Sequence, residues 1–540
     1  MHRYLAYALA IVLLPVCLWL ATIWPAWYWG VALAAALALL GTWDLAQRRS
    51  TLRRNYPVLA HFRYGLESIG PEIRQYFVQS DLDDVPFSRQ QRALVYQRSK
   101  NEMDVVPFGT LRSAYAVDYE WINHSLAPTR IDNADFRVVI GPECARPYSA
   151  SVFNISAMSF GALSANAIRA LNEGARRGGF HHDTGEGSIS PYHREMGGDL
   201  VWEIGSGYFG CRDEHGAFSE ERFVANATHE QVKMIEIKLS QGAKPGHGGV
   251  LPAAKVSAEI SATRGVPMGV DCISPSAHSA FSTPVELLRF VARLRTLSGG
   301  KPVGFKLAIG HPWEWFGIAK AMSETGLLPD FIVVDGAEGG TGAAPSEFVD
   351  HVGVPMLEAL LLVHNTLVGL DLRERIRIGA AGKITSAFDI ARTIALGADW
   401  CNAGRGFMFA LGCIQSLSCH SDTCPTGIAT QDPARWRNLD AMDKAGRVAN
   451  YHRNTLQALR ELLCAAGLND PSELGPEHIL RRVSAVEIRS LASLYRYLSP
   501  GELLHQVPDH AVFHDYWADA RSDSFQPPAR IRALRGSKAR

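Results

Sequence analysis

From about Ser151 onwards, short apolar runs rich in β-branched residues alternate with longer stretches that have helical periodicity. This alternation constrains the fold strongly, because strands separated by helices form parallel sheets. Eight of the runs are predicted to be strands of one sheet: Val152–Ala157, Phe180–Asp183, Met234–Leu239, Gly269–Ile273, Val303–Leu307, Phe331–Asp335, Ile376–Ala380 and Asp399–Ala403. A ninth run, Leu200–Gly205, is interpreted as an insertion. Eight strands with their helices over about 250 residues predict a (β/α)8 TIM barrel.

Three of the intervening stretches have clear helical patterns: Pro284–Leu297, Trp315–Thr325 and Ser386–Leu396. The alternative to a barrel is a doubly wound open sheet. Against that alternative, no predicted strand leads into a convincing Gly-x-Gly-x-x-Gly dinucleotide turn. In a barrel the functional residues lie at the carboxyl ends of the strands, so the segments after the predicted strands are the candidates for a site.

The N-terminal segment has no charged residue between Arg3 and Asp44. That apolar run is too long for one membrane span of about 20 residues and suits two spans. We expect one helix over about 4–22 and another over about 27–43, joined by an aromatic turn that suits the membrane–water interface. Basic residues flank this hairpin on both sides: His2, Arg3, Arg48, Arg49, Arg53 and Arg54.

The flanking positive charge predicts that both ends of the hairpin lie in the cytoplasm. The chain is therefore expected in the inner (cytoplasmic) membrane, with its catalytic domain facing the cytoplasm. One alternative is a cleaved signal peptide, although the apolar run is longer than such a segment needs. The other alternative is a buried hairpin of a soluble protein.

The charge balance gives no indication of a nucleic-acid partner, because 54 basic residues match 54 acidic ones. The nine cysteines are an odd number in a chain of 540 residues. This count does not suit a secreted disulfide scaffold and favours a reducing compartment.

Three cysteines, Cys413, Cys419 and Cys424, lie close together with the spacing C-x5-C-x4-C, and Pro425 follows the last of them. A closed zinc site normally needs four ligands. Three thiolates in a loop that ends in Cys-Pro fit an iron–sulfur cluster better, and a three-iron cluster is the natural candidate. The alternative is three buried cysteines without a metal.

Glycines follow the last two predicted strands, at Gly382-Lys383 and Gly404-Arg405. Glycine lets backbone N–H groups approach a phosphate closely, and phosphates bind at this corner of many barrels. Ordinary tight turns between strand and helix also use glycine, so that alternative stays open. Lys306 at the end of the fifth predicted strand could hold negative charge on a flavin ring or could form a salt bridge at the barrel rim.

Three segments resemble the FMN-binding synthase domain of glutamate synthase: Lys238–Gly249, Gly339–Pro345 and Gly412–Pro433. The resemblance extends from about Ser151 to Gly467. It implies a (β/α)8 barrel that holds FMN beside a 3Fe-4S cluster. It also implies that the enzyme makes L-glutamate from 2-oxoglutarate, ammonia and two electrons.

The resemblance further implies roles for individual residues. The cluster ligands would be Cys413, Cys419 and Cys424. The flavin and its phosphate would contact Ala157, Met158, Ser159, Gln241, Lys306, Gly339, Gly340, Gly382, Lys383, Gly404 and Arg405. The 2-oxoglutarate pocket would contain Glu186, Lys238, Lys244 and Arg264, since arginine can bind a carboxylate bidentately. Glu186 could instead move protons during imine formation, and Arg264 could be a solvated helix residue.

Synthases of this family carry an N-terminal glutaminase domain and a C-terminal β-helix domain, and neither is expected here. Ammonia would then come from solution or from a separate glutaminase subunit. With no recognisable NAD site, electrons would come from a ferredoxin-like protein, a separate flavoprotein or a membrane carrier.

Three local departures from the family pattern bear on the substrate and the phosphate loop. Val250 stands where the family usually has a substrate-contacting Gln, and His247 replaces a common acidic residue. Ala380-Ala381 replaces the usual Asp-Gly. Another 2-oxo acid, an N-substituted amino acid or a 2-hydroxy acid is therefore an alternative substrate. A third alternative is a membrane-tethered interaction or sensing protein without catalysis.

These features predict four parts of the chain. Residues 1–45 would form the transmembrane hairpin, and 46–150 a subdomain that precedes the barrel. Residues 151–433 would form the FMN-binding barrel with its iron–sulfur loop. Residues 434–540 would form a C-terminal helical extension and tail.

Overall fold

The computed structural model describes residues 2–47, 50–81 and 85–537. The chain divides into two compact units, Met1–Asp83 and Asp84–Arg540. The four predicted domain boundaries stay predictions. Arg48 and Arg49, two of the basic residues predicted to flank the hairpin, lie outside the described residues.

Two apolar helices, Leu5–Ile23 and Tyr28–Ala46, form most of the first unit. Each is long and apolar enough to cross a membrane. They touch at Gly41, where a Cβ atom would lie 2.2 Å from the ring of Tyr7. The hydroxyls of Tyr7 and Thr42 lie 2.9 Å apart and also link the two helices.

The other helical segments described in this unit are 3-10 turns at His2–Tyr4 and Pro25–Trp27, the helices Thr51–Asn55 and Leu59–Ile73, and a π-helical turn over Arg74–Val78. The buried carboxylate of Asp44 ties the second apolar helix to the start of the helix Leu59–Ile73. It accepts a hydrogen bond from the backbone N–H of Val58 at 3.0 Å and lies 2.8 Å from His61 Nε2.

The second unit is built on a closed barrel of eight parallel strands, which confirms the predicted fold class. The strands are β1 (Phe153–Ile155), β2 (His182–Asp183), β3 (Leu200–Ile204), β4 (Val232–Lys238), β5 (Val303–Leu307), β6 (Phe331–Asp335), β7 (Arg377–Ala381) and β8 (Trp400–Ala403). They pair in chain order, and β8 closes the barrel by pairing with β1.

Two predictions about the strands are wrong. Leu200–Gly205 is not an insertion, because Leu200–Ile204 is β3 and all five of its residues are buried, as a strand covered on both faces requires. Gly269–Ile273 is not a barrel strand. Only Cys272–Ile273 is extended there, and it pairs antiparallel with Val250–Leu251 in a separate two-stranded sheet.

Helices surround the barrel between and after the strands. They are Ala165–Gly178, Pro191–Glu195, Glu220–Ala227, Ala258–Arg264, Pro284–Leu297, Pro312–Thr325, Ser346–His351, Met356–Gly369, Ala387–Ala395 and Arg405–Leu411, with a 3-10 turn at Ala253–Lys255. The helix Pro284–Leu297 has the predicted bounds. Pro at its first position and the Thr283 side chain, which accepts from the N–H of Glu286, define its start.

Segments on either side of the barrel sequence pack against the barrel and its helices. The hairpin of Arg137–Ile140 and Tyr148–Ser151 covers the amino-terminal end, where Tyr148 packs with Trp400 and other buried residues. The helix Ala441–Ala466 packs against Ala165–Gly178 and Arg89–Lys100. The helix Arg89–Lys100 begins with a capping box formed by Ser88 and Gln91.

A three-stranded antiparallel sheet joins distant parts of this unit: Glu120–Ile122, Ile479–Arg482 and Ile488–Ser490. Glu120 accepts from Arg481 at 2.6 Å and from Arg392 at 2.9 Å, which links the sheet to a barrel helix. The remaining C-terminal elements are Pro433–Trp436, Pro471–Glu473, Leu491–Leu494, Glu502–His505, Ala511–Tyr516 and Ala529–Ser537.

Candidate active site

A cavity of about 1320 Å³, part of it open to solvent, lies at the carboxyl ends of the barrel strands. Every residue that the resemblance assigns to the flavin or to the substrate lines this cavity, and Cys419 also lines it. The barrel therefore gathers into one place residues that are spread over about 250 positions of the chain. The individual roles of these residues stay predictions.

One side of the cavity is made of backbone and basic groups after β7 and β8. A Cβ atom at Gly404 would have its nearest neighbour, Met158 Sδ, at 3.8 Å, so the space in front of this glycine is open. Lys383 has a left-handed backbone with φ of 50°. Arg405 Nη2 donates to the carbonyl of Thr341 at 3.0 Å. This side offers backbone and positive charge to an anionic group.

The loop after β4 is held close to the loop after β6. The backbone N–H of Gly242 donates to Asp335 Oδ2 at 3.0 Å. A Cβ atom at Gly242 would lie 1.8 Å from the carbonyl oxygen of Gly336, so only glycine allows this approach. The close approach fixes Gln241, the preceding residue, at the cavity wall.

Glu186 and Lys238 form an ion pair inside the cavity, with Lys238 Nζ 3.2 Å from Glu186 Oε2. Burial opposes the charge of Glu186, but Lys238 and Arg264 outweigh it and hold the pKa of this carboxyl below its ordinary value. Gly249 makes room for it, because a Cβ atom there would lie 1.6 Å from Glu186 Oε1. Glu186 is thus an ionised carboxylate that leaves no room for a side chain at position 249.

Arg264 is the last residue of the helix Ala258–Arg264 and is buried, so it is not a solvated helix residue. Its Nη2 donates to Ser159 Oγ at 3.2 Å and to the carbonyl of Phe160 at 3.1 Å. Lys244 is also buried, and its ammonium donates to the carbonyl of Ala343 at 3.0 Å. Burial lowers the pKa of Lys244, and Glu186 offsets part of that effect.

At the floor of the cavity, the barrel interior holds acidic side chains that sequence reasoning did not assign. Carboxylate oxygens of Asp183, Glu203 and Glu236 lie within 4.8 Å of one another, and all three residues are buried. The ammonium of Lys306 contacts Glu203 and lies 3.5 Å from Glu236 Oε1. A protein cation therefore already neutralises this group of carboxylates, as a bound metal ion otherwise would.

Burial shifts the pKa values in this cluster. Burial and the neighbouring Glu203 raise the pKa of Asp183 to about 7. Burial and Asp183 raise the pKa of Glu236 well above its usual value. Burial opposes the charge of Lys306, but Glu203 and Glu236 outweigh it and hold the pKa of Lys306 well above its usual value.

Glu203 was missed because its segment was interpreted as an insertion. A signal was nevertheless present in the sequence. Glu203, Glu236 and Lys306 are charged residues inside otherwise apolar strands. A charge in a strand that is buried on both faces must meet a partner inside the barrel.

The three clustered cysteines follow the helix Arg405–Leu411, which ends at Gly412. All nine cysteines of the chain are free thiols. The backbone N–H of Gln415 donates to Cys413 Sγ at 3.5 Å, and Thr426 Oγ1 lies 3.4 Å from Cys424 Sγ. Three free thiols in one loop, with polar groups directed at two of the sulfurs, are a donor set that suits an iron–sulfur cluster.

Basic residues connect this loop to the cavity. Lys255 is buried, and its ammonium donates to the carbonyls of Cys419 at 2.9 Å and Ala429 at 2.8 Å. Arg405 Nη1 lies 4.0 Å from Cys419 Sγ. Arg405 therefore reaches from the glycine loop after β8 to the cysteine loop.

The residues that depart from the family pattern are not all in the cavity. Val250 and Ala381 line the cavity. His247 is exposed, and its ring centroid lies 5.4 Å from that of Phe348. Val250 therefore places an apolar side chain in the wall beside the charged groups.

Comparison with known proteins gives a consistent picture. Residues 118–469 match the model of a family described as a conserved region in glutamate synthase. The chain is 38% identical over 481 residues to the glutamate synthase large subunit-like protein YerD of Bacillus subtilis. The aligned region covers 81% of this chain and 91% of that protein.

Two further relatives are enzymes by name. The chain is 36% identical over 359 residues to the archaeal glutamate synthase (NADPH) of Methanocaldococcus jannaschii, with 66% of each chain covered. It is 32% identical over 330 residues to the glutamate synthase (NADPH) large chain of Bacillus subtilis, with 60% of this chain and 20% of that protein covered. The chain thus spans less than two thirds of the archaeal protein and a fifth of the large chain.

Proposed function

Since the chain belongs to the glutamate synthase family of oxidoreductases, we propose that it catalyses the reductive amination of 2-oxoglutarate with ammonia to L-glutamate, using FMN and a 3Fe-4S cluster. One observation carries this proposal. Lys238, Lys244, Arg264 and the ionised Glu186 line the same cavity as the glycine loops after β7 and β8. Such a cavity can hold a dicarboxylate beside a phosphate-bearing cofactor.

The residues of the chain divide the work of binding. Arg264 and Lys244 are buried cations that can each hold a carboxylate of the substrate. Lys238 can donate to the keto oxygen and polarise the carbonyl carbon. Glu186 orients Lys238 through the ion pair between the two side chains.

The cavity fits FMN. Gly382, Lys383, Gly404 and Arg405 would hold the phosphate, and the open space in front of Gly404 is consistent with this. The backbone of 157–159 would lie against the ring, with Gln241 and Lys306 at its edge and Gly339 and Gly340 nearby. Bound FMN supplies hydride transfer to the imine carbon. A lysine at the ring edge would stabilise negative charge on the reduced ring.

The cysteine loop fits a 3Fe-4S cluster held by Cys413, Cys419 and Cys424. Such a cluster supplies single electrons. Cys419 lines the cavity, so electrons would have a short path to the flavin. The guanidinium of Arg405, 4.0 Å from Cys419 Sγ, would offset part of the negative charge of a bound cluster.

The electron donor and the ammonia source are proposed as follows. Two relatives are named as NADPH enzymes, so we propose a separate NADPH-linked flavoprotein or a ferredoxin-like protein as the donor. Ammonia would come from solution or from a separate glutaminase subunit.

The two apolar helices support anchoring in the inner (cytoplasmic) membrane, with the catalytic unit facing the cytoplasm. Alkaline carbonate washing of membranes tests this. The full chain should stay with the membrane, and its release into the wash would contradict the anchor.

The deciding experiment uses anaerobically purified full-length protein. Its visible and EPR spectra should contain one flavin and the signal of an oxidised three-iron cluster. With reduced ferredoxin, 2-oxoglutarate and ammonium, it should form glutamate. A protein that holds both cofactors and makes no glutamate would overturn the substrate assignment.

A second candidate substrate is another 2-oxo acid, and the position of Val250 favours it. An apolar side chain in the cavity wall suits a substrate with an apolar group where 2-oxoglutarate has its second carboxylate. Comparing kcat/KM across 2-oxo acids of similar length decides between the two candidates. A preference for an uncharged side chain would select the second.

A further inference from the structure

Lys238 and Lys306 are register partners on the neighbouring strands β4 and β5. Both side chains are almost completely buried, with 9% and 5% of their surface exposed. Like charges side by side in a sheet repel each other, and the low dielectric of the interior strengthens that repulsion. Two buried ammonium groups in this position need an anion between them.

Glu203 on β3 supplies that anion. Its Oε1 lies 3.9 Å from Lys238 Nζ, and its Oε2 contacts Lys306 Nζ. Glu203 is only 1% exposed, so water does little to screen either contact. Glu236 also approaches Lys306, at 3.5 Å, but the ion pairs of Lys238 are with Glu186 and Glu203.

We propose that Glu203 is a positioning residue that couples the substrate pocket to the flavin, by sharing its carboxylate between Lys238 and Lys306. This inference rests on the proposed function, which puts Lys238 in the substrate pocket and Lys306 at the flavin ring.

The coupling has a simple electrostatic origin. A dicarboxylate bound at Lys238 gives that ammonium a new anionic partner and weakens its attraction to Glu203. Glu203 then neutralises Lys306 more fully, so Lys306 stabilises the reduced flavin ring less. The flavin therefore becomes harder to reduce when the pocket is filled. By linkage, the dicarboxylate must bind less tightly to the reduced protein by the same factor.

The test measures the flavin reduction potential of full-length, FMN-containing protein with and without glutarate, an unreactive dicarboxylate. In the unaltered protein, glutarate should bind about tenfold more weakly to the reduced form, which corresponds to a negative shift of about 30 mV for a two-electron couple. Glu203→Gln removes the shared charge. The affinities of glutarate for the oxidised and reduced forms should then differ by less than about threefold.

Two further variants make the result specific. Glu203→Asp keeps the charge on a side chain that is one carbon shorter and cannot span both ammonium groups, so it should also lose the coupling. If the Glu203→Gln protein does not bind FMN, the potential is measured on the Glu203→Asp protein instead. Glu236→Gln leaves the carboxylate of Glu203 between the two lysines and should keep most of the shift.

Several outcomes would overturn the inference. The first is that glutarate does not shift the flavin potential of the unaltered protein. The second is that both Glu203 variants keep the full shift. The third is that Glu236→Gln loses as much of the shift as Glu203→Gln does. Purified protein without any flavin spectrum would remove the proposed function as well. A normal flavin with an unchanged shift in both Glu203 variants would remove only the coupling.

Discussion

Lys238 and Lys306 lie side by side as register partners in the barrel, and their buried ammonium groups share the carboxylate of Glu203. This arrangement joins the proposed substrate pocket to the proposed flavin site through one side chain. It also explains how the barrel interior tolerates two lysines at the same level, since a buried charge needs a partner.

Replacing Arg264 with lysine should weaken substrate binding. Arg264 already donates to Ser159 and Phe160, and lysine cannot keep both contacts while also holding a carboxylate. The loss of charge-assisted hydrogen bonds should raise KM for 2-oxoglutarate about 10- to 100-fold. Steady-state kinetics measures this. Arg289→Lys, at an exposed position of the helix Pro284–Leu297, is the control, and an equal effect in both variants would contradict the assignment.

A methyl group at Gly249 should disrupt the pocket without altering any charge. In Gly249→Ala the new Cβ would clash with Glu186 and push its carboxylate away from Lys238. A displacement of about 1 Å at a reacting centre can lower kcat/KM about 100-fold. Gly310→Ala is the matched control, because the nearest atom to its Cβ is 4.0 Å away. Unchanged kcat/KM in Gly249→Ala would show that Glu186 has no part in the reaction.

The side chain at position 250 should tune substrate preference. Val250→Gln introduces an amide that can hydrogen-bond a carboxylate in the cavity. We expect kcat/KM for 2-oxoglutarate to rise about tenfold relative to 2-oxo acids that have an apolar side chain. Val486→Gln, at an exposed position, should leave the ratio unchanged. A ratio that does not respond to Val250→Gln would place the distal carboxylate elsewhere.

Cys419→Ser should abolish the EPR signal of the cluster and retain the flavin absorbance. A serine hydroxyl is a poor substitute for a thiolate in an iron–sulfur site. Cys464→Ser, in the helix Ala441–Ala466, is the control and should leave the EPR signal intact. A full three-iron signal in Cys419→Ser would mean that the ligands are assigned wrongly.

Asp183 should make the unfolding of the protein depend on pH. In the folded protein Asp183 keeps its proton up to a pH of about 7, whereas an unfolded aspartate loses its proton near pH ~4. Between these values the folded state binds more protons, so this contribution to stability is present at low pH and is lost as the pH rises towards about 7.

The melting midpoint of the full-length protein measures this effect. Asp183→Asn should reduce the fall in the midpoint between about pH 5 and about pH 8. Asp132→Asn, whose side chain is 86% exposed, should keep the wild-type slope. An unchanged slope in Asp183→Asn would mean that Asp183 is ionised in the folded protein.

The barrel could be predicted because its signal is local. Apart from Lys306 and Asp335, runs such as Val303–Leu307 and Phe331–Asp335 are uncharged and mostly apolar, as is typical of strands covered on both faces, and helical patterns separate them. The site loops could be predicted for a related reason. Gly242 must be a glycine because the backbone of Gly336 approaches it too closely for a Cβ atom. Gly249 must be a glycine because the buried carboxylate of Glu186 does the same.

The prediction of strands failed where the local sequence pattern does not show which strands pair with each other. Leu200–Ile204 and Gly269–Ile273 are both short and rich in β-branched or apolar residues. Only the first pairs with both neighbouring barrel strands, because pairing depends on how the chain on either side folds back. With that strand misassigned, Glu203 had no predicted position near the site.

The alternation of strands and helices, the glycines after the strands, the three-cysteine loop and the apolar N-terminal hairpin can all be recognised in the amino-acid sequence. These features depend on neighbours in the chain and on side-chain chemistry. Which charges meet depends on the three-dimensional fold. Glu203, Lys238 and Lys306 come from three different strands, and closure and register of the barrel bring them together. Their pairing follows from burial, because a charge inside the barrel must find its partner across the sheet and not along the chain.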